Sequence, residues 1–145
     1  MRTVTKLTSL LLVLLMLTSC RSSESEEEIT SRYVDTLSLV EGVAEVETEW
    51  RKGGGVAGTF MDVRLRTTTD DPVELEAIQY RAWEEIMPTI DLQSLVRLDW
   101  RVVSADGSLV ATPTELGFQS DTTNEGIFKR QWEDEGLREQ YQGPK

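Results

Sequence analysis

No histidine occurs in this 145-residue chain, and cysteine occurs once, at Cys20. The missing histidine excludes a Ser-His-Asp or Cys-His nucleophilic site. It equally excludes a histidine-ligated zinc or copper centre. Proton transfer near neutral pH would need a carboxylate, lysine or tyrosine with a shifted pKa. One cysteine cannot form an internal disulfide, so the fold has to rest on its apolar core. Positive charge is scarce: 15 Lys and Arg stand against 26 Asp and Glu, for a net charge of −11. An acidic surface repels phosphate backbones, so no nucleic-acid partner is expected. Long apolar runs are missing as well. Leu7 to Leu17 is the one near-continuous stretch, and it is too short for a spanning helix, which needs about 20 residues.

That stretch sits in an ordered context. Arg2 and Lys6 precede it, Leu17-Thr18-Ser19-Cys20 closes it, and the polar, acidic segment Arg21 to Ser31 follows. A basic start, a short apolar run and small residues make an export signal. Leu17-Thr18-Ser19-Cys20 resembles the lipobox of bacterial lipoproteins. The resemblance implies a diacylglyceryl group on the Cys20 thiol, cleavage before Cys20 and acylation of the new amino terminus. Two or more acyl chains anchor stably where one does not. Residues 1–19 are then a signal peptide, 20–31 a lipidated cysteine with a flexible acidic tether, and 32–145 a single domain. Loss of 1–19 removes Arg2 and Lys6 and takes the net charge from −11 to −13. The expected location is the extracytoplasmic face of a cell membrane, with the membrane as one partner and an envelope protein as another. Past Cys20 the chain resembles only small uncharacterised envelope lipoproteins, which implies no chemistry and no oligomeric state.

Periodicity outlines the domain. Tyr33, Val34, Leu37, Leu39 and Val40 fit a short helix in their first part and a strand in their second. In Val43 to Arg51, Ala44, Val46, Thr48 and Trp50 alternate with Glu45, Glu47, Glu49 and Arg51, as in a half-buried strand. After Gly53-Gly54-Gly55 the pattern returns over 57–67. Met61, Val63 and Leu65 lie on one face, and Phe60, Asp62, Arg64 and Arg66 on the other. Two such runs around a glycine loop predict a hairpin with glutamates opposite arginines. Asp71, Pro72 and Glu74 start a helix by capping. Leu75, Ile78, Ala82 and Ile86 form its apolar stripe, and Pro88 ends it. Leu95 to Val103 is a third strand, Asp106-Gly107 a tight turn, and Leu109 to Thr114 the returning strand. Leu116 to Asn124 reads as loop, and Asn124 to Tyr141 as a terminal helix weakened by Gly126 and Gly136. The expected fold is α+β: a four-stranded, mainly antiparallel β-β-α-β-β sheet, with one helix on its apolar face and a candidate C-terminal helix.

Chemistry is thinly marked. The glycines at 53–55 and 58 lack phosphate-loop spacing and do not open a helix. Asp70-Asp71, Glu84-Glu85 and Glu133-Asp134-Glu135 lack the layout of a calcium loop. No metal or cofactor is implied. Four residues, Arg64, Arg66, Arg97 and Arg101, share the outward sheet face with Asp62, Asp99 and the glutamates. Paired arginines there suit a carboxylate-bearing partner. Phe60 on the same face, within reach of the terminal segment, and Trp132, expected to be exposed, complete the candidate contact residues. The expectation is a non-catalytic binding or adaptor module. The alternatives are a carrier holding a small ligand or lipid between sheet and helix, and a hydrolase using Asp62 and Asp99.

Overall fold

The computed structural model describes residues 24–53, 58–134 and 136–140. The stretch expected to be a signal peptide, Cys20, Gly54, Gly55, Glu135 and Tyr141 lie outside the described residues. The first element is a helix, α1 (Glu26–Leu37). Ser25 caps it: its hydroxyl accepts from the Glu28 N–H at 3.2 Å, and the Glu28 carboxylate accepts from the Ser25 N–H at 2.7 Å. Glu26, Glu27 and Glu28 thus occupy the first turn, where the helix dipole favours acids. This corrects the tether. Residues 26–31 are folded, and Ile29 is 4% exposed within the core. It also decides the ambiguous segment from Tyr33, which is helical to Leu37.

Strand β1 (Val43–Lys52) pairs antiparallel with β2 (Thr59–Thr67), as the alternation predicts. Gly42 leads into β1 at φ +90°, and a Cβ there would meet Ile78 Cδ1 at 2.6 Å. Only glycine meets both demands. Helix α2 (Pro72–Ile86) begins as its cap predicts. Asp71 Oδ1 accepts from the N–H groups of Val73 (2.8 Å) and Glu74 (3.2 Å). A 3-10 turn, Met87–Thr89, carries Pro88.

Strand β3 (Arg97–Val103) then lies parallel to β2 on one side and pairs antiparallel with the returning strand on the other, so the second hairpin forms as expected while its junction with the first is parallel. The crossover through α2 returns the chain to the end of the sheet where β2 began, and this makes the pairing parallel. The returning strand shrinks to β4 (Val110–Ala111), because Pro113 opens a 3-10 turn, Pro113–Leu116. A short strand in the segment expected as loop, β5 (Thr122–Asn124), pairs antiparallel with the start of β3. The sheet is therefore mixed and five-stranded, in the order β1-β2-β3-β4, with β5 also on β3. The terminal helix is two pieces, α3 (Glu125–Glu133) and α4 (Leu137–Gln140). Gly136 between them has φ +75°, a left-handed conformation that cannot continue a helix.

One sheet face meets the helices. Met61, Val63, Leu65, Leu98, Trp100 and Val102 pack with Tyr33 and Leu37 of α1, Ile78 and Trp83 of α2, and Phe128 of α3. Trp83 stacks on Trp100 at 4.1 Å, with Phe118 and Phe128 at 4.9 and 5.1 Å. Trp132 is 3% exposed, which corrects the expectation that it is a surface anchor. Helical spacing puts it one turn after Phe128, on the same inward stripe, and its ring lies 5.2 Å from Tyr80.

Candidate functional site

The other sheet face carries the polar half of every alternating strand. Register arranges it in rungs. Arg51, Phe60, Arg97 and Asn124 form one, and Glu49, Asp62, Asp99 and Thr122 the next. Glu47, Arg64 and Arg101 form the third, and Glu45, Arg66, Val103 and Val110 the last. The structure thus brings together Phe60, Arg64, Arg66, Arg97 and Arg101. It leaves Trp132 on the opposite layer. Phe60 keeps the outward position that its alternation predicts. It is half-buried, with the Arg97 guanidinium 4.3 Å above its ring, a cation–π contact.

Ion pairs run across the strands. Arg51 pairs with Asp62 and reaches Asp99 at 3.4 Å. The attachment to Asp62 raises the pKa of Arg51. Arg101 reaches Asp99 at 3.3 Å, and Arg66 reaches Glu47 at 3.0 Å and Glu45 at 3.9 Å. Among the described residues Arg64 has only a long contact to Glu47, 3.9 Å. Arg64 and Arg101 therefore stand side by side on parallel strands, both about half exposed. Two adjacent guanidinium groups repel each other, and an anion between them would relieve that repulsion through paired hydrogen bonds. Asp62 and Asp99 are neighbours in the same way, but Arg51 spans both and competes with any substrate for them.

Two open depressions sit on this face. One, of about 300 Å³, is lined by Glu49, Arg51, Asp62, Arg64, Asp99 and Arg101. The other, of about 260 Å³, lies beside Phe60, Lys52 and Gly53. The space between sheet and helices is taken up by the aromatic cluster around Trp83. Inside it the indole N–H groups of Trp83 and Trp100 and the amide of the buried Gln79 have no hydrogen-bond partner among the described residues. No three acidic or cysteine side chains converge on a metal-sized site among those residues. No described helix is long and apolar enough to cross a membrane.

A second polar cluster had no signal in the sequence. Glu125, the first residue of α3, is 0% exposed. It accepts from Tyr33 Oη at 2.6 Å, from Arg32 Nη2 at 3.1 Å and from the Ser94 hydroxyl. Burial and the neighbouring Glu125 charge push the Tyr33 phenol well above its ordinary pKa. These residues are up to 93 positions apart, so no spacing rule could find them. They join α1, the 90–96 connection and α3. No protein family, curated protein or solved structure matches the chain.

Proposed function

We propose that the chain is a lipid-anchored extracytoplasmic protein whose domain is a non-catalytic binding module. The anchor rests on the lipobox-like Leu17-Thr18-Ser19-Cys20. The binding reading is carried by one observation: Arg64, with a carboxylate no nearer than 3.9 Å among the described residues, stands beside Arg101, which shares Asp99 with Arg51, and both are half exposed on an otherwise ion-paired open face. In a protein of net charge −11, such a pair is a local anion-accepting spot. The partner is an envelope protein presenting a carboxylate to that spot, with Phe60 and Arg97 as a flanking contact. Its remaining surface meets the Glu45, Glu47 and Glu49 side. Electrostatic matching of this kind sets which partner docks and in what orientation more than it sets affinity.

The test is cross-linking of the full-length protein in native membranes, with wild type beside the double variant Arg64→Glu/Arg101→Glu. One dominant cross-linked protein is expected, with its yield lowered roughly tenfold or more in the variant, because like charges oppose docking. Equal yield from both proteins, or no partner above background, overturns the assignment.

A further inference from the structure

One end of the molecule gathers features that the sheet face does not use. Helix α1 runs antiparallel to β1. Trp50, near the end of β1, donates its indole N–H to Thr30 Oγ1, near the start of α1, at 2.9 Å. Arg32 reaches Glu24 at 3.1 Å, Glu125 at 3.1 Å and the Thr89 carbonyl at 3.4 Å. The first described residue, the connection after α2 and the start of α3 therefore meet at this end. So do the last residue of β1 and the first of β3.

Exposed apolar side chains collect in the same place. Leu95 is 80% exposed, Leu92 42% and Ile127 39%. The Leu92 carbonyl lies so close to Gly126 that a Cβ there would meet it at 2.3 Å. Ser94 bonds Glu125 through its side chain and Gly126 through its backbone. The Leu92–Leu95 segment and the start of α3 are thus packed together, beside the point where the chain from Cys20 arrives.

Chain length selects the occupant. Cys20 precedes Glu24 by four residues. At no more than about 3.5 Å per residue, its Cα lies within about 14 Å of that of Glu24. We propose, resting on the reading of Cys20 as lipidated, that Leu92, Leu95 and Ile127 sit in the interfacial layer of the bilayer that holds the anchor. The patch is small, but a short tether gives it a high effective concentration at the lipid surface. Its rim is acidic, with Glu24, Glu26, Glu27 and Asp91 exposed. The contact therefore rests on apolar burial and gains nothing from anionic headgroups. The domain then stands with its strands upright, the open sheet face looking sideways and the Asp106-Gly107 turn farthest from the membrane.

The experiment uses the full-length protein purified from membranes as Leu95→Cys and, at the far end, Ala105→Cys. Both positions are exposed. Lipid blocks Cys20, so the introduced thiol alone takes an environment-sensitive fluorophore. Each protein is reconstituted in phosphatidylcholine vesicles with and without spin-labelled phosphatidylcholine, after its intact mass is measured. The expected result is a blue-shifted label at position 95 that loses most of its emission to the spin label, and a label at 105 that does not. A mass without diacylglycerol overturns both the anchor and this contact. With the lipid present, a water-like label at 95 overturns the contact and leaves the anchor standing. A label buried in native membranes but water-exposed in vesicles assigns the patch to a protein and also overturns it.

Discussion

Glu125 shows how much a single buried carboxylate can organise. It has no exposed surface and is held by Tyr33, Arg32 and Ser94. Removing one member of a buried pair leaves the other charged and desolvated, which costs about 3 kcal/mol or more. Glu125→Gln is therefore expected to lower unfolding free energy by about 3 kcal/mol in urea titrations; a change within error would mean the network is solvated. Tyr33 adds a pH dependence. Its folded pKa is raised, first by burial and then by Glu125. A raised folded pKa stabilises fully below the unfolded value of about 10 and is lost as pH climbs above it. Stability should be flat with respect to this group through neutral pH and fall beyond about pH 10. Tyr33→Phe should flatten that alkaline limb, as read by the thermal midpoint against pH.

At the scale of elements, the exposed edge belongs to β1, ten residues long at one end of the sheet order. A long free edge invites pairing with other chains, and inward or outward charges discourage it. Glu45, Glu47 and Glu49 recur at every second position along it. In the central antiparallel self-pairings they would face one another. Glu45→Val/Glu49→Val should leave the fold nearly as stable, since exposed ion pairs contribute little. It should self-associate more than wild type by light scattering; equal scattering would show that the glutamates do not guard the edge. The same alternation made β1, β2 and their pairing legible beforehand, and Asp71-Pro72 did the same for α2. The capping of α1 by Ser25 and Glu28 emerges only from the structure, because the acidic run around it reads first as solvated tether. Only the burial of Ile29 against a distant sheet shows which description holds.

For the whole molecule, α1 is part of the folded unit. A chain cut to residues 32–145 loses the Ile29 side chain from the core, the α1 cap and the Thr30–Trp50 bond. Burial of one aliphatic side chain and one hydrogen bond together suggest a loss of about 3 kcal/mol. The shortened chain should unfold at correspondingly lower denaturant than residues 24–145; identical midpoints would return α1 to the status of a tether.

Local pattern by itself determined the α+β class, the first hairpin, α2 and the set of arginines that share one sheet face. These depend on neighbours in sequence: alternation of two, spacing of three and four, and caps three residues apart. Tertiary structure alone decided that β3 runs parallel to β2, that β5 exists, that Trp132 points inward and that Glu125 meets Arg32 and Tyr33. It also decided that Arg64 stands beside Arg101, and that the Leu92–Leu95 segment and the start of α3 lie at the end of the molecule where α1 begins. Each of those depends on which segments the crossover and the core bring together, and that is set by how the helices and the sheet jointly fill one core. No window along the chain contains that information.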